Sequence, residues 1–360
     1  MPTVSEVLSR LDQAVPASSS ASWDPAGLQL GNSAADVGSV GVCHEITEEV
    51  VDAVEASRPD LLITYHPLLF RPTNRFVAGA TPSGRAWRLA RLGVSVAVAH
   101  TSFDAAPGGT SDSLADVLGL SDLRPFGPSG PAPSVKIVTF VPAEAIEAVA
   151  SAMTDAGGGR IGNYSGCSFR IAGTGAFDAG EAATPSVGDA GTNRVDEVRL
   201  EMLTAPATAD VVTAAMVSAH PYEEPAYDVY ETVSNGRFIG RVGRHGGSFD
   251  ALVDQVGTSL GQVGLRVTRA SDRADTVAVL PGSGASFLAA ARAAGADVVV
   301  TGDVDHHRAL EARDRGMSII DAGHAATERP GMVALVEVVR RACSEATLVD
   351  LTGYDPTPWR

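Results

Sequence analysis

Three short apolar runs, at 61–63, 94–98 and 317–320, each stop abruptly at a cluster of polar residues that contains a histidine. They lead into Thr64-Tyr65-His66-Pro67, Ala99-His100-Thr101-Ser102-Phe103-Asp104 and Asp321-Ala-Gly-His324-Ala-Ala-Thr-Glu328. Runs this short and this apolar are the mark of strands buried on both faces, which belong to parallel sheets flanked by helices. In such sheets ligands gather beyond the carboxyl ends of the strands, where these clusters lie.

Between the runs the pattern changes to helical periodicity. From Val40 to about Leu120 the sequence predicts a strand at 40–43, a helix from Thr47, a strand at 61–63, a helix at 85–92 and a strand at 94–98. The same alternation returns after Gly240. Helices are expected at 249–260, 286–294 and 307–315, strands at 265–268, 276–280, 297–300 and 317–320, and a last helix capped by Thr327 with Pro330 in its first turn. Alternation of this kind implies βαβ units and a mainly parallel sheet.

The stretch Gly127-Pro-Ser-Gly-Pro-Ala-Pro133 interrupts the pattern, because Pro lacks a backbone donor and Gly loses the most entropy on ordering. Beyond it the expected order is strand 135–140, helix 143–156, strands 167–172 and 195–203, helix 209–219 and strand 226–230, a βαββαβ ferredoxin-like sandwich. A mobile loop is expected between Phe177 and Arg194. The predicted organisation is therefore an α/β core made from 1–126 and 239–360, interrupted by an inserted α+β domain at 134–233. The two halves of the core are expected to meet in one sheet, since loop-closure entropy grows only logarithmically with insert length.

Imidazole and carboxylate together suit a zinc-, manganese- or iron-type dication. On this reading His66, Asp104 and Glu328 hold one metal and His324 with Glu328 a second, up to two per subunit. Each cluster also has a plainer explanation. A His before Pro at a strand end is more often a hydrogen-bonded turn residue than a ligand, and Gly282-Ser283-Gly284 is more often a tight turn than a set of amides for an anion. Of the neighbours His306 and His307, His307 is taken as the inward-facing one, assisting proton transfer. His220-Pro-Tyr-Glu-Glu-Pro225 and Gly162-Asn163-Tyr164 have the residues that turns require.

Composition excludes several functions. A formal net charge of −16 and the lack of any Lys/Arg run oppose bulk nucleic-acid binding, and aromatics make up only 5% of the chain. Three cysteines, Cys43, Cys167 and Cys343, lie far apart without paired spacing, so neither a disulfide framework nor a zinc-cysteine module is expected. With no signal-like segment and no long apolar stretch, the expected location is the cytoplasm.

Taken in order, Trp23-Asp-Pro-Ala-Gly-Leu-Gln-Leu-Gly31, Thr64 to Pro67, Ala99 to Asp104 with Gly108-Gly109, Ala296 to Asp303 and Asp321 to Glu328 resemble the NIF-three-like dinuclear-metal family, whose bacterial members are called GTP cyclohydrolase 1 type 2 homologues. Arg160-Ile-Gly-Asn-Tyr164, Cys167-Ser-Phe169 and His220 to Tyr227 look like the PII-like insert of its longer members. The resemblance implies that His66 and Asp104 bind one metal and His324 the other, with Glu328 shared, in a toroidal homohexamer. The chain departs from the pattern at Tyr65, where the family has a histidine. The second site is then weakened, ligated by Tyr65, or completed by His44 or His306.

Two functional expectations follow. One is a metal-dependent hydrolase of a small nucleotide or phosphoester, in which metal-activated water attacks and His307 and Glu328 assist. The other is a non-enzymatic regulatory or metal-handling assembly whose PII-like domain binds a ligand or partner.

Overall fold

The computed structural model describes residues 1–128, 134–161, 163–180, 182–188, 191–232, 238–261 and 264–354. Most of the expected Gly127 to Pro133 boundary, Gly162, and the ends of the insert at 233 and of the core at 355–360 lie outside these residues. The chain folds into two compact units, Met1–Gly130 with Arg237–Arg360, and Pro131–Gly236.

The first unit begins with α1 (Val4–Ala14), β1 (Gly27–Leu30), β2 (Ser39–Cys43), α2 (Glu48–Ser57), β3 (Leu61–Thr64), α3 (Pro82–Leu92), β4 (Ser95–Val98), α4 (His100–Ala105), α5 (Thr110–Val117) and β5 (Ser121–Pro128). The inserted unit contains β6 (Val135–Pro142), α6 (Ile146–Asp155), β7 (Ser168–Ala179), β8 (Gly191–Thr204), α7 (Ala209–Ala219) and β9 (Tyr227–Glu231). The first unit then resumes with β10 (Phe238–Arg244), α8 (Phe249–Leu260), β11 (Arg266–Thr268), β12 (Thr276–Ser283), α9 (Leu288–Ala293), β13 (Val298–Gly302), α10 (His306–Asp314), β14 (Ser318–Asp321), α11 (His324–Ala342) and β15 (Thr347–Asp350).

Local sequence explains several of these ends. Thr47 caps α2 by accepting from the Val50 amide, and Thr81 caps α3 ahead of Pro82, whose missing donor costs nothing in a first turn. Gly93 closes α3 in the left-handed conformation. Every residue of β3, β4, β13 and β14 is buried, as the continuous apolar runs require.

The core unit has two sheets rather than the single one expected. The first has the order β1-β4-β3-β2-β15 and is parallel except at its β1 edge; the second has the order β11-β14-β13-β12-β10-β5, with parallel pairing confined to β12, β13 and β14. The polar clusters after β3 and β14 therefore end different sheets. Helix α11 unites them. Its Met332, Leu335, Val336 and Val339, at helical spacing, pack with Val40, Val42, Leu61 and Ile63 of the first sheet, while the helix also touches β12 and β13 of the second.

Helix α11 begins earlier than Thr327. Gly323, at φ +87°, turns the chain so sharply after β14 that the helix starts at His324, leaving Pro330 inside it and Thr327 in its first turn. The Thr327 hydroxyl bonds back to the Gly323 and His324 carbonyls. The region from Phe177 to Arg194 differs from expectation at its two ends only: β7 runs to Ala179 and β8 starts at Gly191, so 177–179 and 191–194 are paired strand.

The inserted unit forms an antiparallel sheet of order β7-β8-β6-β9. Ile137 and Leu200 from one face pack with Val149 and Met153 of α6 and Val212 and Met216 of α7. At the junction in the core unit, β5 and β10 pair antiparallel, with Phe238 opposite Pro128, so an insert departs from and returns to neighbouring strands. Arg241 of β10 is clamped there by both oxygens of Asp112 from α5 and donates to the Phe238 and Gly240 carbonyls. Asp112→Ala leaves this largely buried guanidinium without its counter-charge and is expected to cost about 2 kcal/mol, discounted from a fully buried pair for its partial exposure. Urea unfolding of the full chain checks this.

Candidate metal centre

The parallel pairing of β2 with β3 sets Cys43 opposite Thr64, and beyond it the Tyr65 amide donates to Cys43 O and the His66 amide to His44 O. Two imidazoles thus leave adjacent strands side by side. Their rings stack at 5.0 Å and 22°. From the other sheet, His324 opens α11 and Glu328 follows four positions later, on the same helix face.

These four side chains converge. His44 Nε2 lies 2.7 Å from Glu328 Oε2, His324 Nε2 lies 3.0 Å and His66 Nε2 3.5 Å from Oε1, and the His66 and His324 Nε2 atoms are 3.4 Å apart. Glu328 is only 2% exposed. Burial alone would push its carboxyl up, yet hydrogen bonds from His324, His44 and His66 outweigh that and hold it well below the usual carboxylate range. Burial likewise opposes a charged His324, but its bonds to Glu328 and Asp303 raise it to about 9.

The donors fit a dication. Metal–nitrogen bonds of about 2.0–2.1 Å in a tetrahedral shell place neighbouring ligand atoms about 3.3 Å apart, which is the spacing found around Glu328 Oε1. His44, His66 and Glu328 also form a group with mutual ligand-atom separations within 4.8 Å. Asp303 Oδ2 sits 2.7 Å from His324 Nδ1, the outer bond that turns the other ring nitrogen toward an ion. Gly282, at φ +68°, passes so close that a Cβ there would meet Glu328 Oε1 at 2.4 Å.

Tyr65 and Asp104 lie beside this group and bond to each other. The Tyr65 hydroxyl donates to Asp104 Oδ1 at 2.7 Å, and the Thr110 hydroxyl donates to the same oxygen. Burial, reinforced by the Asp104 charge, keeps Tyr65 a neutral phenol with its pKa well above the ordinary value; burial also raises Asp104. His100 follows β4, with Nδ1 3.0 Å from Asp24 Oδ1 and its ring edge-on to His66 at 5.5 Å. Trp23 and Phe70, 60% and 50% exposed, stand edge-on to each other and to His100.

Other residues singled out from sequence have different placements. His307 is exposed in the first turn of α10, its ring 5.5 Å from that of His306. The glycine turn after residue 280 does not offer amides to an anion, because Gly282 N donates to Thr327 Oγ1 and Gly284 N to Thr301 Oγ1. His220 has both ring nitrogens engaged, Nε2 with Phe140 O and Nδ1 with the Tyr222 amide, and so serves its turn. Residue type alone does not mark His44, Asp24 and Asp303 as site residues. For His44 a signal is nonetheless present, an apolar run at 40–43 ending in a histidine.

An α/β protein with a buried histidine–carboxylate cluster at the carboxyl ends of two sheets is the class that this geometry defines. Residues 2–357 match the Duf34/NIF3 (NGG1p interacting factor 3) family, and the chain belongs to it. It is similar to the GTP cyclohydrolase 1 type 2 homolog of Mycobacterium tuberculosis, with 39% identity over 368 residues covering 99% of this chain and 96% of that relative. The homolog of the same description from Listeria innocua is 36% identical over 308 residues, covering 84% and 83%. Among solved structures, the Bacillus cereus protein related to NIF3 aligns with a TM-score of 0.66 at 32% identity, covering 100% of this chain and 99% of that one. Among the described residues no helix is long and apolar enough to cross a membrane.

Proposed function

We propose that this protein is a divalent-metal-dependent hydrolase acting on a small nucleotide or phosphoester. The observation that carries the reading is the convergence of three imidazole nitrogens on the buried carboxylate of Glu328. The name that its relatives carry, GTP cyclohydrolase 1 type 2 homolog, points to the same substrate class. When bound, a dication supplies Lewis-acid polarisation of a phosphoryl oxygen or a ring carbon–nitrogen bond. Glu328 would provide the anionic donor, His66, His324 and His44 would provide nitrogen donors, and Asp303 fixes the His324 ring.

The exposed Trp23 and Phe70 rings beside His100 supply a surface on which a planar base can stack. Two imidazoles compete for proton transfer: His307, from its position in sequence, and His100, whose Nδ1 is held by Asp24. His100→Ala is expected to lower kcat by about 10²-fold or more and His307→Ala by much less. Trp23→Ala is expected to raise KM about tenfold with little change in kcat, the scale of one lost stacking contact. The deciding experiment incubates metal-reconstituted protein with a nucleotide and phosphoester panel beside Glu328→Ala. Equal turnover in the two proteins removes this site as the catalyst. A toroidal homohexamer in the cytoplasm belongs to the same proposal, and light scattering reads the assembly.

A second reading, a regulatory metal-binding assembly whose PII-like insert receives a ligand, is favoured by a cavity of about 610 Å³ in the inserted unit. Phe140, Ile171, Phe177, Glu197, Arg199 and Tyr222 line it. Calorimetry of the full chain with a panel of small-molecule ligands, in wild type and Arg199→Ala, tests it. Equal heats from both proteins rule the cavity out as the binding site.

A further inference from the structure

We infer that the cavity of the inserted unit takes a small organic ammonium ion with an apolar body, and that Glu197 is its counter-charge. The inference rests on the second reading above only in taking this cavity as a ligand site, and it is independent of the metal centre.

The first argument is the shape of the floor. Ile137 and Leu200 pack toward α6 and α7, so by strand alternation Phe140, Glu197 and Arg199 face the other side of the sheet, where the cavity lies. Register sets Ile171 opposite Arg199 and Gly173 opposite Glu197. A Cβ on Gly173 would meet nothing within 4 Å, and the nearest atoms to a Cβ on Gly175 all belong to the Glu197 carboxyl group. Two glycines therefore leave open floor beside a carboxylate. The Thr184 amide donates to Glu223 Oε1 at 2.9 Å, which ties the segment leading into Pro185 to the 222–226 turn and forms the walls. The enclosed volume of about 610 Å³, bordered by Phe140, Ile171, Phe177 and Pro185, suits the apolar body of a small molecule.

The second argument is the sign of the charge. Among the described lining residues the carboxylates are Asp178, Glu197, Glu223 and Glu224, and the one cation is Arg199. Arg199 is already paired: its Nε donates to Glu201 Oε1 at 2.8 Å and its guanidinium lies over the Phe140 ring, 5.9 Å from the centroid. Glu197 has no such partner among the described residues. Its Oε1 accepts from the Tyr222 hydroxyl at 2.8 Å, and that phenol is a neutral donor, since burial, reinforced by the bond to Glu197, holds its pKa above the ordinary value. His220, behind Tyr222, offers no charge either, because Nε2 is engaged by Phe140 O and Nδ1 by the Tyr222 amide. A carboxylate that has a hydrogen bond but no counter-ion, at the edge of an apolar cavity, is complementary to an ammonium group; an anionic ligand would meet like charge there.

The test is calorimetry of the full chain with phenylethylammonium and with phenylpropionate, probes that share a ring and differ in the sign of their charge. Wild type is expected to bind the ammonium about tenfold or more tighter than the carboxylate, the scale of one hydrogen bond to a charged group. Glu197→Gln keeps the size of the side chain and is expected to bring the two probes within about threefold of each other. Gly173→Val places a strand-favouring side chain in free space, so its melting temperature is expected to stay at the wild-type value while ammonium binding weakens by about tenfold or more. No heat from the ammonium at millimolar concentration, tighter binding of phenylpropionate, an undiminished preference in Glu197→Gln, or undiminished ammonium binding in Gly173→Val each overturns the inference. The wild-type comparison stands even where a variant fails to fold. Phenylpropionate binding that Gly173→Val abolishes defeats the ammonium assignment alone and leaves the cavity a ligand site, whereas no heat from any ligand of the wider panel defeats the second reading with it.

Discussion

Glu328→Gln is expected to lose zinc affinity by about 10²-fold or more while keeping its fold, a larger effect than the roughly 10–100-fold typical of outer-shell substitutions. The side chains are nearly the same size, so the pocket stays filled. What disappears is the single negative charge that three imidazoles face at 2.7, 3.0 and 3.5 Å. Because ligand binding to the folded state stabilises it by mass action, zinc at a hundred times its Kd raises wild-type stability by about 2.7 kcal/mol. The variant should show almost none of that rise under the same conditions, as read by thermal melts with and without zinc. A full zinc-dependent shift in Glu328→Gln would mean that the ion binds elsewhere.

The same substitution has a signature without metal. Glu328 is depressed in the fold, so its contribution is present above its unfolded value near 4.5 and is lost as pH falls through the lower folded value. His324 is raised to about 9, so its contribution is complete below about 6.5 and is lost as pH rises through about 9. Metal-free wild type should therefore gain most from this cluster between about pH 4.5 and 6.5. Glu328→Gln should flatten that maximum in melting temperature measured with a chelator present.

Much of this centre was legible because an apolar run fixes where a buried strand ends, and His66, His324 and Glu328 stand just beyond such ends. Helical spacing then puts His324 and Glu328 on one face. Pairing was not legible. The two-sheet division depends on which strands adopt which neighbours, and β5, reading Ser121-Asp-Leu-Arg-Pro-Phe-Gly-Pro128, contains residues that a central strand rejects; it is tolerated at the sheet edge beside β10. β1 and β15 are likewise short edge strands whose pairing is long-range. The end of β7 and the start of β8 lay within the stretch expected as a loop from its composition, yet Phe177, Asp178 and Ala179 pair with Asn193, Thr192 and Gly191. The Tyr65–Asp104 bond was hidden because residues 39 apart give no sign in sequence of which oxygen a phenol will choose.

Gly302→Ala is expected to be among the most damaging single-methyl additions to this fold. Gly302 ends β13, and an added Cβ would lie 2.6 Å from the Gly323 carbonyl carbon and the His324 nitrogen, and 2.8 Å from Gly282 O. All three are backbone atoms, so no side chain can swing aside to make room. The methyl would have to wedge the start of α11 away from the ends of β12 and β13, in a region where Ala322 N bonds to Thr301 O and Gly282 N to Thr327 Oγ1. Overpacking of this kind costs about 1–3 kcal/mol even where side chains can adjust, and rigid backbone on every side places Gly302→Ala at about 3 kcal/mol or above. Since His324 is the first residue of α11, the same displacement should carry its imidazole out of register with His66 and reduce zinc affinity by about tenfold or more. Urea unfolding and zinc titration of the same sample separate the two effects. A variant that unfolds at the wild-type urea midpoint and binds zinc normally would show that β13 and α11 pack less closely than the distances around Gly302 require.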